Sequence, residues 1–155
     1  MKTLVLGAGA LGGYYGSRLI QSGADVTFLV RPARAEHLQN NGLEVDSALE
    51  SFHEKVKIIV AGQSKETFDV VLLTCKTYDL DDAMSAIAPH VGPRTGIVPL
   101  LNGYRAYEDL DRAFGRERVL GGVSYIATTL AEDGRIMHIN DADKLVVGEI
   151  GRAHV

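Results

Sequence analysis

A glycine-rich segment near the N-terminus constrains this chain more than any other feature. The segment "LGAGALGG" follows the short apolar run "TLVL" and precedes a helical pattern that begins at Ala10. Glycine within or beside a helix costs about 0.5–1 kcal/mol relative to alanine. Gly7, Gly9 and Gly12 therefore need a compensating role, and a G-x-G-x-x-G pattern between a strand and a helix is typical of a dinucleotide-binding turn.

Each glycine of this turn has its own expected task. Gly7 permits the tight turn out of the strand, Gly9 leaves room for a pyrophosphate against the backbone, and Gly12 lets the helix approach the strand closely. Gly16, one helical turn further on, is expected to extend that close contact. A glycine-rich turn without a ligand is the competing interpretation, but the flanking strand and helix favour binding. The backbone N–H groups at the helix start then face the phosphates, and the predicted pyrophosphate site consists of Gly7, Ala8, Gly9, Ala10, Leu11 and Gly12.

The rest of the sequence alternates short apolar runs with helical patterns, which predicts a parallel sheet covered by helices. Strands are predicted over residues 3–7, 24–30, 68–75 and, with a following turn, 95–103. Helices are predicted over residues 10–22, 32–39, 79–91 and 104–114. The third of these helices has acidic residues in its first turn, where they suit the helix dipole.

Two regions predict β-structure outside this alternation. Residues 43–60 alternate in part and predict two edge strands and a further sheet strand. The tail over 118–149 predicts strands, with Asp133-Gly134 as a hairpin turn. Over residues 1–155 we therefore predict one Rossmann-type α/β domain. Its doubly wound, mainly parallel sheet has helices on both faces and is followed by a β-rich C-terminal extension.

Composition excludes several classes of function. A formal net charge of -4 leaves no broad basic surface for nucleic acid. No apolar run reaches the roughly 20 residues that span a bilayer, and the N-terminus has no secretory pattern. The single cysteine, Cys75, excludes an internal disulfide and is interpreted as a small apolar strand residue rather than a nucleophile. We therefore expect a cytoplasmic protein with neither nucleic-acid nor membrane partners. We expect no metal site, because ligand spacing is missing among the histidines His37, His53, His90, His138 and His154.

The residue at the end of the second strand indicates which dinucleotide binds. Proteins that bind NAD place an Asp or Glu about 20 residues after the glycines, where it accepts hydrogen bonds from the ribose. Arg31 occupies this place, nineteen residues after Gly12. A guanidinium cannot accept a hydrogen bond but pairs well with a 2′-phosphate. NADP(H) is therefore the predicted cofactor, with Arg34 as a second cation; two solvated surface arginines are the alternative.

Polar side chains follow two further strands of the predicted sheet. Lys76 comes after "VVLLTC", and Asn102 comes after "IVPLL". Ligands of open parallel sheets lie outside the carboxyl ends of the strands, so both side chains are expected at the nicotinamide. A lysine there can donate to a carboxylate or carbonyl, and an asparagine amide can donate and accept. The alternatives are a solvated lysine and a simple Asn-Gly turn.

These residues together resemble the N-terminal, NADP-binding domain of the ketopantoate reductase (2-dehydropantoate 2-reductase) family. The matching segments are "LGAGALGGYYG", "LVRPAR", "LLTCKTYDLDDA", "LLNGY" and "DGRIMHINDADKLVVGE". The resemblance implies NADPH-dependent reduction of a 2-oxo acid to a 2-hydroxy acid, a step toward pantothenate and coenzyme A. It implies that Arg31 holds the adenosine 2′-phosphate, that Lys76 and Asn102 lie by the nicotinamide and substrate as the catalytic positions, and that Ala127 joins the cofactor site.

The sequence departs from the family pattern in two ways. Arg105 stands where members often have a glycine, which leaves the substrate open. The family also has a helical second domain that supplies a catalytic lysine and a substrate-binding glutamate, and "GEIGRAHV" ends this chain where that domain is expected to begin. The general acid is therefore expected outside these 155 residues. A non-catalytic NADP-binding or sensing module, and a related 2-oxo acid or opine-type dehydrogenase, remain alternatives. A small-molecule 2-oxo acid is the expected partner, and a homodimer is left open.

Overall fold

The computed structural model describes residues 1–151, so that His154 lies outside the described residues. The strands are β1 (Lys2–Leu6), β2 (Asp25–Leu29), β3 (Leu43–Asp46), β4 (Phe52–Glu54), β5 (Lys57–Ile59), β6 (Phe68–Leu73), β7 (Val91–Pro99), β8 (Gly121–Tyr125), β9 (Thr128–Leu130), β10 (Ile136–His138) and β11 (Lys144–Gly148). The α-helices are α1 (Ala10–Gln21), α2 (Pro32–Asn41), α3 (Leu80–Ile87) and α4 (Arg105–Phe114). No helix in this part of the chain is long and apolar enough to cross a membrane.

The central sheet has five strands in the order β5-β2-β1-β6-β7, and every neighbouring pair is parallel. The chain builds outward from β1 through β2 to β5, then returns to add β6 and β7 on the other side. The strand order therefore reverses between β1 and β6, which is the place where open parallel sheets bind their ligands. The predicted doubly wound sheet, with the glycine turn at its switch point, is confirmed.

The strands of this sheet are buried on both faces. Val5 and Phe28, which are register partners in β1 and β2, belong to the core beneath α1 and α2. The preceding Leu4 and the following Leu29 belong to a second core beneath α3 and α4. Successive strand residues point to opposite faces, so two covered faces require nearly continuous apolar runs such as "TLVL" and "VVLL".

Two smaller sheets complete the fold. The first has the order β4-β3-β10-β9, with β3 and β10 parallel and both outer pairs antiparallel. The second is the antiparallel pair β8 and β11. Gly134 has a φ of +86° in the turn between β9 and β10, which confirms the Asp133-Gly134 hairpin. Of the three strands predicted over residues 43–60, β3 and β4 enter the four-stranded sheet and β5 forms an edge of the central sheet.

Helix α1 lies against both the central and the four-stranded sheet. A Cβ atom at Gly16 would lie 2.3 Å from Cζ of Phe28, so the expected close contact at Gly16 is present. A Cβ atom at Gly13 would lie 2.1 Å from Cδ1 of Ile136, a contact that the sequence did not predict. Alanine at Gly16 would have to displace the ring of Phe28 or move α1, whereas alanine at Gly13 would first displace the terminal methyl group of Ile136.

Two predicted helix boundaries are wrong. The helix predicted over 79–91 is shorter, because α3 ends at Ile87 and a 3₁₀ turn over Ala88–His90 leads directly into β7. Pro89 lies in this turn and has no N–H to continue the helical ladder. Helix α2 runs two residues beyond the predicted Gln39 and ends before Gly42, whose φ is +80°. The other elements differ from prediction by one or a few residues at their ends.

Candidate cofactor site

The glycine turn closes the end of β1 tightly against its neighbours. Gly7 has a φ of +91°, and its N–H donates to the carbonyl of Leu29 at 2.9 Å. A Cβ atom at Gly12 would lie 2.2 Å from the carbonyl oxygen of Gly7 and 2.4 Å from Oγ1 of Thr74. No side chain fits at Gly12 unless the backbone moves, which agrees with the close helix–strand contact predicted for it.

The N-terminus of α1 is open to a ligand. Gly9 is the N-cap residue, no side chain caps the helix, and its first turn has no acidic residue. A Cβ atom at Gly9 would meet no atom within 4 Å, so this glycine borders open space rather than a packed neighbour. The backbone N–H groups of a helix start lack intrahelical partners, and the helix dipole favours an anion there. A pyrophosphate fits this end of α1.

Two clefts meet in front of the glycine turn. The first has a volume of about 560 Å³ and extends along the end of β2, where Arg31 lies. The second has a volume of about 750 Å³ and extends to Asn102 and Ala127. Both clefts are lined by Gly9, Thr74, Cys75, Lys76 and Leu130. They form one continuous groove, called here the nucleotide groove, across the carboxyl ends of β2, β1, β6 and β7.

Arg31 lies at the first cleft, as the strand-end argument predicts. It is the N-cap residue of α2, directly before Pro32 at the first helical position. Its side chain is 75% exposed, and Nη2 lies 3.0 Å from Oδ1 of Asp79. The predicted phosphate-binding cation is therefore accessible but forms an ion pair across the cleft.

Arg34 also lines the first cleft, and its side chain is partly held by backbone carbonyls. Its Nε donates to the carbonyl of Ala8 at 2.9 Å, and its Nη1 donates to the carbonyl of Gly134 at 3.2 Å. Burial lowers the pKa of the guanidinium, although arginine remains charged in proteins. Its two hydrogen bonds to backbone carbonyls connect the glycine turn to the β9–β10 hairpin, while its Nη2 is buried without a hydrogen-bond partner among the described residues. Its role as a second cation for the cofactor stays a prediction.

Replacing Arg34 with methionine is expected to lower the free energy of unfolding by about 2 kcal/mol, because hydrogen bonds from a charged donor to two carbonyls are lost. Urea unfolding measures the change. The matched control is Arg31→Met, which removes one exposed ion pair from the same helix and should change the stability by less than about 1 kcal/mol. Equal effects of the two substitutions would contradict the connecting role of Arg34.

Lys76 and Asn102 both line the second cleft. Oγ1 of Thr77, the residue after Lys76, donates to the carbonyl of Asn102 at 3.5 Å, which links the two strand ends. Within residues 1–151 the Lys76 ammonium has no hydrogen-bond or ion-pair partner. Ala127 lines the same cleft, but its N–H is not free to donate to a ligand, because it already donates to Oδ1 of Asn140 at 2.9 Å. Ala127 therefore offers van der Waals surface rather than a hydrogen-bond donor.

The thiol and imidazole groups play no visible chemical part in this groove. Burial raises the pKa of the Cys75 thiol, so it stays protonated near neutral pH, in keeping with its interpretation as a small apolar residue. The described residues contain no group of three or more side chains that could hold a metal ion. His90 is buried with Nδ1 2.7 Å from the carbonyl of Glu66, and His138 lies 2.8 Å from the Ser47 hydroxyl.

Two residues that line the nucleotide groove were not predicted from the sequence. Thr74 donates from Oγ1 to the carbonyl of Leu6 at 2.7 Å and joins the carboxyl ends of β1 and β6. Its signal is a hydroxyl residue at the end of the apolar run "VVLLT". Asp79, the partner of Arg31, carried no separate signal, because its position before a helix already explains an acidic residue.

Comparison with known proteins assigns a family to this arrangement. A sequence model described as ketopantoate reductase PanE/ApbA matches residues 3–152. The chain belongs to the ketopantoate reductase family. It is 43% identical over 149 residues to the uncharacterized oxidoreductase YkpB of Bacillus subtilis, covering 96% of this chain and 49% of that protein. It is 28% identical over 153 residues to the 2-dehydropantoate 2-reductase of Aquifex aeolicus, covering 96% of this chain and 47% of that protein.

Solved structures agree with this family and with the fold. The crystal structure of 2-dehydropantoate 2-reductase from Geobacter metallireducens gives a TM-score of 0.89 at 36% identity, over 99% of this chain and 51% of that chain. A ternary structure of D-mandelate dehydrogenase with NADH and anilino(oxo)acetate gives a TM-score of 0.82 at 25% identity, over 90% of this chain and 46% of that chain. The ketopantoate reductase family is one of oxidoreductases, and this chain spans about half the length of the relatives that it matches.

Proposed function

We propose that this chain is the NADPH-binding domain of a 2-dehydropantoate 2-reductase, which reduces ketopantoate to pantoate in pantothenate and coenzyme A biosynthesis. The observation that carries the proposal is the nucleotide groove. It brings together an uncapped helix N-terminus, the guanidinium of Arg31, the ammonium of Lys76 and the amide of Asn102. These groups match the phosphates at one end of NADPH and a 2-oxo acid at the other.

The groups divide the groove into binding regions. The open turn at Gly9 and the start of α1 would hold the pyrophosphate. Arg31 would hold the adenosine 2′-phosphate at the end of β2. The nicotinamide would then lie in the second cleft beside Lys76 and Asn102, where NADPH supplies the hydride.

Lys76 and Asn102 have positioning tasks in this proposal. An unpaired ammonium can hold the carboxylate or polarise the keto oxygen of the substrate, and an amide can orient it by donating and accepting hydrogen bonds. Neither residue is assigned as the general acid. By the family resemblance, the proton donor and the far wall of the substrate pocket belong to a helical domain outside these 155 residues.

Substrate choice is tested with a fusion. This chain is joined to the part of the Geobacter metallireducens reductase that it does not cover, and NADPH absorbance is followed with ketopantoate or benzoylformate. Ketopantoate-dependent oxidation supports the proposal. Faster reduction of benzoylformate would favour a mandelate-type dehydrogenase, the alternative that the D-mandelate dehydrogenase neighbour suggests. NADPH binding without oxidation of either substrate would favour a sensing module.

The cytoplasmic location of the protein and its assembly into a homodimer stay predictions.

Cofactor preference gives a direct prediction for Arg31. The unmodified chain should bind NADPH more tightly than NADH. Arg31→Ala should weaken NADPH binding by about 1.5–3 kcal/mol, the range for a hydrogen bond to a charged group. NADH binding, which lacks the phosphate contact, should change much less. Calorimetry with both cofactors measures this difference, and equal affinities of the unmodified chain for NADPH and NADH would contradict it.

A further inference from the structure

An ion pair spans the first cleft of the nucleotide groove. Arg31 follows β2 and Asp79 follows β6, and these strands flank β1 on opposite sides. Their side chains meet at 3.0 Å between Nη2 and Oδ1. Both residues line the cleft in which the adenosine end of a dinucleotide would lie. The pair therefore stands where the cofactor has to bind.

The two partners are not equally exposed. The Arg31 side chain is 75% exposed, whereas that of Asp79 is only 28% exposed. Asp79 also lies in the 3₁₀ turn over Thr77–Asp79, and its backbone N–H donates to the carbonyl of Lys76 at 2.9 Å. The carboxylate is thus the more enclosed partner, and the guanidinium has more open space in which to turn toward a ligand.

Three cations line this cleft, Arg31, Arg34 and Lys76, and of these Arg31 is held by a carboxylate, that of Asp79. Arg34 donates from Nε and Nη1 to the carbonyls of Ala8 and Gly134, and its Nη2 is buried without a hydrogen-bond partner in the part of the chain that the structure describes. A phosphate dianion beside Asp79 meets a like charge and must draw Arg31 away from it. The ribose 2′-hydroxyl of NADH would not be repelled by Asp79, because a carboxylate can accept a hydrogen bond from a hydroxyl group.

We propose that Asp79 is a specificity-determining residue that competes with the cofactor 2′-phosphate for Arg31. The competition lowers the preference for NADPH over NADH below the level that Arg31 alone would give. This inference rests on the proposed binding of NADPH and adds to it a residue that sets how strongly the two cofactors are distinguished.

The test measures dissociation constants for NADPH and NADH by calorimetry on the 155-residue chain and its Asp79→Asn variant. Asparagine keeps the shape of the side chain and removes its charge. NADPH binding should tighten about threefold to tenfold, since a partly exposed ion pair and a like-charge repulsion are removed. NADH binding should stay the same or weaken slightly. Asp82→Asn, in the same cleft wall but without an ion pair to Arg31, is the matched control and should change the ratio far less.

A second pair of variants tests whether Asp79 weakens NADPH binding by holding Arg31 or by repelling the phosphate directly. In an Arg31→Ala background, Asp79→Asn should tighten NADPH binding clearly less than it does in the unmodified chain, because the like-charge repulsion is still removed but no guanidinium remains to be released. An undiminished effect there would mean that Asp79 acts by direct repulsion alone, and would overturn the competition. An unchanged NADPH/NADH ratio in Asp79→Asn, with a clear NADPH preference in the unmodified chain, overturns the inference and leaves the proposed function standing. No NADPH preference in either protein would instead overturn the proposed cofactor.

Discussion

Replacing Gly12 with alanine is expected to abolish measurable NADPH binding and to destabilise the whole domain. The new Cβ atom would lie 2.2 Å from the carbonyl oxygen of Gly7, a backbone atom that cannot rotate away. Inserted methyl groups in packed sites cost about 1–3 kcal/mol, and a backbone clash belongs at the upper end of this range. Urea unfolding should report that loss, and calorimetry should report no NADPH binding.

Gly9→Ala separates the binding role of the turn from its folding role. A Cβ atom at Gly9 would meet nothing within 4 Å, so the free energy of unfolding should change by less than about 1 kcal/mol. The methyl group would nevertheless occupy the space of the pyrophosphate, and NADPH affinity should fall at least about tenfold. Gly148→Ala, also in open space but in β11, is the control and should change neither quantity. Unchanged NADPH affinity in Gly9→Ala would place the pyrophosphate elsewhere.

The central sheet could be predicted because its signals are local. Each parallel strand is a short apolar run, and the runs are separated by helical patterns or turns. The four-stranded sheet could not be predicted in the same way. It pairs Val45 with Ile136, and periodicity along the chain carries no information about which distant strands become neighbours. The sequence therefore predicts a β-rich tail without indicating that the tail returns to residues 43–54.

The site shows the same division between local and distant information. The glycine turn, Arg31, Lys76 and Asn102 follow from one rule, that ligands lie at the carboxyl ends of parallel strands. The partners of the arginines do not follow from it. Asp79 lies 48 residues after Arg31, and only the folded chain places the two side chains 3.0 Å apart. The hydrogen bond of Arg34 to the hairpin does not follow from it either, because the accepting carbonyl lies 100 residues further along the chain.

Turnover should differ far more than cofactor binding between this chain and its fusion to the uncovered part of the Geobacter metallireducens reductase. Both proteins should bind NADPH, because the glycine turn, the start of α1 and Arg31 all lie within the described residues. The binding measurement also shows that each protein is folded. With ketopantoate, the 155-residue chain should oxidise NADPH at least about 10²-fold more slowly than the fusion.

The expected difference arises from what the nucleotide groove does not supply. Hydride transfer to a keto carbon leaves an alkoxide that needs a proton, and general acid catalysis alone contributes about 10²–10⁴-fold. Holding the 2-oxo acid against the nicotinamide is a separate contribution. Lys76 can orient the substrate from one side, and in the proposed function the opposing wall of the substrate pocket belongs to the helical second domain. Comparable rates in the two proteins would contradict the proposal that the second domain supplies the proton donor, and would make Lys76 the candidate acid. A Lys76→Met variant of the 155-residue chain would then have to lose the activity.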